Sequence, residues 1–448
     1  MRQTTRQSVL LVLVMALTSY LDAAAQPKLM PRREAWVATW SASAHGPYPS
    51  GNASAQPILD FAFESPEHGA IDQTFRLIVK PDVWGRRIRL RFSNAFGTQR
   101  VTFDDVYVGV QGSGGNVLAG TNQPAAFDHG RKSVTIAPGA SVFSDPIDLA
   151  IGAHGERRLL AGRRLAVSFH VVGATGPMTW HAKALTTSYL SAPHGGSHSA
   201  EESDGSFPYT TTSWYFLDAI DVEAPEHSAV VVCFGDSITD GTNSTLNGDD
   251  RWPDVLSRRL HAAFGDRVSV VNAGIGGNQI LGPAAYSATA PFSGGPSALS
   301  RLDRDVLSLS GVTSVIWLEG INDLSAGASA EAVIAGLKEG VRRLRARGVR
   351  VIGGTITSSV GATTASGTPE NDIKRKAIND FIRTGGLFDG VADFDAATRD
   401  PQTGGLKEAF QPNSTTGGAG DRLHPNRAGY HAMGNAVDLG LVMPGRHK

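Results

Sequence analysis

At 448 residues, 41% of them hydrophobic, the chain is longer than one core usually serves and apolar enough to build two. Its 41 Lys and Arg balance 42 Asp and Glu, leaving a net charge of -1 that offers no bulk electrostatic basis for binding nucleic acid or an acidic membrane. The single cysteine, Cys233, excludes an intramolecular disulfide, and its apolar neighbours mark it as a packed, inert thiol.

Arg2 and Arg6 precede an apolar run from Val9 to Leu17, and the small residues Ala23 and Ala25 follow before Gln26. The run is too short to span a bilayer, so residues 1–25 read as a cleaved secretory signal peptide. That places the mature protein outside the cell or in the periplasm, without stable membrane insertion. Asn52, Asn243 and Asn413 each begin an Asn-X-Ser/Thr sequon.

From about Trp36 to Ser213 the chain alternates short apolar segments with Gly, Pro and Asp. Phe75–Val79, Arg87–Phe92, Lys132–Ile136, Val142–Ile147 and Arg164–Phe169 read as antiparallel strands, and no long stretch holds a helical period. An all-β sandwich or jelly roll is expected over residues 33–220. Trp36, Trp40, Trp84, Trp180 and Trp214 are read as core or interface anchors rather than sugar platforms, because burying such large apolar surfaces stabilises packing strongly.

After Asp221–His227 the rhythm changes. Apolar runs near Ala229–Phe234, Val268–Val271, Thr313–Leu318, Val349–Ile356 and Gly390–Asp393 alternate with helical periods, clearest at Val333, Ile334, Leu337, Val341 and Leu344. Residues 226–448 are therefore expected to form a three-layer α/β/α domain on a parallel sheet, closed by a helix over Ala428–Leu441. Ser358–Thr368 and Thr403–Gly420 read as loops.

Three of these strands end in polar turns: Gly235-Asp-Ser-Ile238, Asn272-Ala-Gly-Ile-Gly-Gly-Asn278 and Glu319-Gly-Ile-Asn-Asp323. In a doubly wound sheet such strand ends share one edge, where ligands bind. Near the C-terminus stands Asp421-Arg-Leu-His424. A serine after a strand is also ordinary turn chemistry; what separates the two readings is whether a base and an oxyanion site accompany it. Asp236 and Asp323 are read as carboxylates that bond turn amides, not as a glycosidase pair. Asp240, Asp249 and Asp250 lack calcium-loop spacing and are expected to be solvated. His261 and His431 show no zinc-ligand pattern, so no metal is expected.

These four blocks, in this order and spacing, resemble the SGNH or GDSL-type serine hydrolases, in the form of their secreted two-domain members with an N-terminal β-sandwich. The resemblance implies a triad of Ser237 as nucleophile, His424 as base and Asp421 as its orienting acid. It also implies an oxyanion hole made by the backbone N–H of Ser237, the backbone N–H of Gly277, with Gly276 as the neighbouring alternative, and the side-chain amide of Asn322. The expected activity is cofactor-free hydrolysis of a carboxylic ester on a small molecule or polysaccharide, with an O-acetylated carbohydrate first and a short-chain or lipid ester next. A glycan-binding protein on a degenerate hydrolase scaffold, or acyl transfer to a sugar, is the alternative.

Overall fold

The computed structural model of the chain describes residues 34–149, 159–225 and 228–443. The segment read as a signal peptide, residues 1–25, lies outside them. Among the described residues no α-helix occurs before Ser237, as the β-rich rhythm requires, and no helix is long and apolar enough to cross a membrane.

Besides a small two-stranded sheet that pairs Trp180–His181 with Trp214–Tyr215, the N-terminal half is built from two larger antiparallel sheets. One runs Glu34–Ser41, Leu217–Pro225, Arg87–Ser93 and Ser141–Phe143, with Ile147–Asp148 also paired to Arg87–Ser93. The other is centred on Ile71–Val79, Leu165–Ala174 and Val101–Val110. Between them lies an aromatic core in which Phe75 stacks on Phe169 at 5.2 Å and Phe92 meets Phe103 at 5.3 Å. Alternating strands present their apolar sides to this layer, the arrangement of a β-sandwich. The expected single strand over Val142–Ile147 is two short strands, Ser141–Phe143 and Ile147–Asp148. Pro146 between them has no N–H for the ladder.

The C-terminal half carries a five-stranded parallel sheet in the order Val268–Gly274, Ala229–Gly235, Val312–Leu318, Arg350–Gly354, Gly390–Ala392. This is the 2-1-3-4-5 order of a doubly wound sheet, whose switch point falls between the first and third strands in sequence. The unbroken apolar run of Ala229–Gly235 is explained by burial on both faces. Val231 and Cys233 pack toward Trp252, Leu256, Tyr430 and Met433, while Val230, Val232 and Phe234 share a core with Val333, Leu337 and Val341. Helices Trp252–Phe264 and Arg427–Ala436 cover the first face, and Ala330–Arg345 and Pro369–Thr384 serve the second. Fully burying Trp252 and Trp317, both about 0–1% exposed, contributes roughly 1.5–3 kcal/mol or more each. The expected closing helix over Ala428–Leu441 is interrupted: Val437 is extended and Asp438 caps a new turn, Leu439–Val442, by accepting from the Gly440 N–H.

The two halves share one continuous hydrophobic cluster. It holds Val37 and Trp40 of the sandwich together with Val271 and Trp317 of the parallel sheet. Polar stitches cross with it. Ala38 donates its N–H to Ser310 O and accepts from Ser269 Oγ, and Ser41 Oγ donates to Asn272 O.

Candidate active site

Parallel register aligns the ends of three neighbouring strands: Gly235 lies opposite Gly274 on one side and Leu318 on the other. Ser237, Gly277 and Asn322 follow those ends within a few residues, so the sheet itself brings their loops to one edge. Gly235 must be glycine, because a Cβ there would stand 2.1 Å from Leu318 O. The chain turns immediately afterwards. Asp236 caps the short helix Ser237–Asp240 by accepting from the Ile238 N–H at 2.9 Å, as turn chemistry predicts, and Ser237 takes the first helical position.

Ser237, 6% exposed, places its Oγ 2.7 Å from His424 Nε2. His424 Nδ1 lies 2.5 Å from Asp421 Oδ2. The other oxygen of Asp421 accepts from the N–H groups of His424 and Leu423 at 2.8 and 3.0 Å. Partial burial pushes the Asp421 carboxyl up. The bonds from the His424 ring and from these amides outweigh it and hold the group well below the usual carboxylate range. An ionised Asp421 keeps the proton on Nδ1 and leaves the Nε2 lone pair facing Ser237. Asn243, a sequon residue, is buried and donates to the His424 carbonyl at 3.3 Å.

The second and third loops are tied to each other. Asn322 Nδ2 donates one hydrogen to Asn278 O at 2.9 Å, and its other hydrogen meets no acceptor among the described residues. Asp323 accepts from the N–H groups of Ile280 and Leu281 at 2.8 and 2.9 Å, so it is a loop staple, as expected of a turn carboxylate. Of the two glycines weighed as donors, Gly276 has its N–H engaged by Asp240 Oδ2 at 2.9 Å. Gly277, at φ 82°, has an N–H that meets no acceptor among the described residues, and the same holds for the N–H of Ser237.

Several residues that organise this edge have no motif to announce them. Arg301, fully buried, donates to Gly235 O, Ala273 O, Asn278 Oδ1 and Asp305 Oδ2 at 2.7–3.1 Å, and its guanidinium lies 4.1 Å from the Phe234 ring centroid. It pins together the ends of the strands that lead to Ser237 and Gly277. Asp240 is buried rather than solvated, which corrects the expectation for that residue. Besides Gly276 it bonds His181 Nε2 at 3.1 Å. Both nitrogens of His181 face only oxygen acceptors, Ser43 O, Lys183 O and Asp240 Oδ1. Burial alone would lower the His181 pKa, but the charge and hydrogen bond of Asp240 outweigh burial and raise it. Lys183, also from the sandwich, donates to Thr242 Oγ1 at 2.5 Å, and burial pushes its pKa down.

Asp249 pairs with Lys80 and Arg164 at the rim, and Asp250 accepts from the Thr245 N–H. Behind Ser237 sit two carboxyls whose pKa values are raised by burial. Asp236 is pushed up to about 7 and Glu319 to about 8, the latter accepting from Trp317 Nε1 at 2.8 Å. Cys233 is buried and free. Among the described residues no group of three His, Cys, Asp or Glu side chains is placed to hold a metal ion.

Residues 233–432 match the GDSL-like lipase/acylhydrolase family. No curated protein matches the chain. Solved structures similar to it include a member of the lipolytic protein G-D-S-L family from Veillonella parvula DSM 2008, at 21% identity over 46% of this chain and 95% of that one, TM-score 0.33. A carbohydrate acetylesterase family member from Sinorhizobium meliloti is 17% identical over 46% of this chain and 94% of that one, TM-score 0.34. A lipase/acylhydrolase from Enterococcus faecalis is 22% identical over 46% of this chain and 92% of that one, TM-score 0.35. Behind an antiparallel β-rich N-terminal half, this chain thus carries a hydrolase domain of the GDSL family, a carboxylic ester hydrolase with Ser237 and His424 in hydrogen-bond contact.

Proposed function

We propose that the protein is a secreted serine esterase that removes acetyl groups from a carbohydrate through an acyl-enzyme on Ser237. The observation that carries this reading is the bonded series Ser237, His424, Asp421, with links of 2.7 and 2.5 Å. His424 Nε2 takes the hydroxyl proton as Ser237 Oγ attacks the ester carbonyl carbon. The negative oxygen that develops is met by the N–H groups of Ser237 and Gly277 and by the free hydrogen of Asn322 Nδ2. Collapse breaks the bond to the alcohol oxygen, which receives the proton from His424. Water, deprotonated by the same imidazole, then attacks the acyl carbon and releases the carboxylic acid and Ser237.

The side chains around the Ser237 and Gly276 turns, Asn52, Lys183 and Thr242, are polar, which suits a short acyl group better than a long alkyl chain. Secretion rests on residues 1–25 as a signal peptide. The division into a β half over 33–220 and a hydrolase half over 226–448 rests on the change of rhythm at 221–227. Hydrolysis of p-nitrophenyl esters tests the mechanism: Ser237→Ala is expected to lose on the order of 10³-fold or more in kcat. Unchanged turnover would sink the proposal. Acetyl esters and acetylated polysaccharides are expected to be cleaved faster than octanoyl esters, and the reverse order would redirect the substrate to lipid.

A further inference from the structure

We infer that Asn52, supplied by the β-sandwich half, is the positioning residue that aims the Gly277 N–H at the reacting ester. The inference rests on the reading of Gly277 as an oxyanion donor. Asn52 Nδ2 donates to Gly276 O at 2.6 Å and makes a longer contact of 3.4 Å to Ser293 O. The Gly276 carbonyl and the Gly277 N–H belong to one planar, trans peptide unit, so they point in opposite directions. Holding the carbonyl on the Asn52 side sends the N–H to the other side.

Such a hold is needed because glycine stands on both sides of this peptide, and a flip that turns the N–H away meets little steric resistance from residues without a Cβ. The N–H of Gly276 is fixed independently by Asp240, itself paired to His181. With Asn52 on the carbonyl, the polar groups on both sides of the Gly276 Cα are anchored. Hydrogen bonding to the carbonyl also polarises the peptide and makes its N–H a better donor. Asn52 stands on a braced segment. Trp180 Nε1 donates to Ser50 O at 3.0 Å, Thr212 Oγ1 to Ser54 O at 2.8 Å, and the Thr212 N–H to Gln56 Oε1 at 2.7 Å. Its amide lies 2.7 Å from where a Cβ on Gly277 would be, so the two residues are in direct packing contact.

A peptide held ready for the transition state affects kcat more than substrate affinity. In the full-length enzyme with p-nitrophenyl acetate, Asn52→Asp, which keeps the size and removes the donor, is expected to lower kcat about 10-fold or more with KM within about twofold. Asn52→Ala is expected to do the same without adding a charge, and Asn52→Gln, which retains an amide donor, to recover part of the loss. Thermal unfolding of each variant checks that the fold is intact. Wild-type kcat in both Asn52→Asp and Asn52→Ala overturns the inference, as does a rise in KM at constant kcat, which would make Asn52 a substrate-binding group. Ser237→Ala is measured in parallel. If it retains activity, the serine-esterase reading itself fails; if it is inactive while the Asn52 variants are unimpaired, only the role of Asn52 fails.

Discussion

Arg301 donates to the carbonyl of Gly235, 2.8 Å away, from a position 66 residues further along the chain. A second bond from the same guanidinium, to Ala273 O, fixes the neighbouring strand at the same level. The edge on which Ser237 and Gly277 stand is therefore held by a buried cation rather than by the sheet ladder alone. Replacing Arg301 with Met would leave both carbonyls and Asp305 without this donor. A cost of about 3–5 kcal/mol is expected, read as a lower midpoint in chemical denaturation. Arg301→Lys should not restore stability, since one ammonium cannot reach donors spread over the width of a guanidinium.

Gly277→Ala is expected to fold and to lose activity. At φ 82° a side chain costs about 1–2 kcal/mol, and its Cβ would press on the Asn52 amide at 2.7 Å. Relieving that contact would turn the peptide whose N–H is the proposed oxyanion donor. Steady-state kinetics should show kcat reduced roughly 10²-fold, the scale for loss of one oxyanion donor.

The pH dependence of stability should carry the mark of Glu319. Burial raises its carboxyl from the ordinary 4.5 to about 8 in the folded protein. Between those values the unfolded chain has given up the proton and the folded chain still holds it, so stability falls as pH rises through this window. Glu319→Gln removes the titration. Urea midpoints measured from pH 5 to pH 8 should fall less steeply in that variant, the difference amounting to roughly a few kcal/mol at most. An equal slope in both proteins would show that Glu319 is not held neutral.

What was legible in the sequence was local. Val230–Phe234 reads as a buried strand because its residues are apolar without a break, and Asp421 and His424 stand three apart, close enough for one turn to bond them. The parallel order followed from the alternation of such strands with helical periods. Pairings between distant segments left no local trace. In the sequence Asn52 stands out only as the start of a sequon, Arg301 belongs to no motif, and Asp240 is one of three carboxylates expected to be solvated. Each acquires its role from a partner that only the fold brings near: Gly276 for Asn52, Gly235 for Arg301, His181 for Asp240. The closing helix was overextended for a related reason, since the apolar period continues through Val437 and Leu441 while Asp438 restarts the backbone.

The order in which the ribosome makes the chain acquires a meaning from these distances. Asn52 precedes Gly276 by 224 residues, and His424 follows Ser237 by 187. Domains generally begin to fold as they emerge, N-terminal segments first. The sandwich can thus be waiting when Gly276 arrives, whereas Ser237 meets His424 only after a further 187 residues have been synthesised. On the proposed mechanism an unfinished chain carries Ser237 without the imidazole that would activate it, so a product truncated before His424 would be chemically silent, and activity would appear only once His424 has reached the edge of the sheet where Ser237 stands.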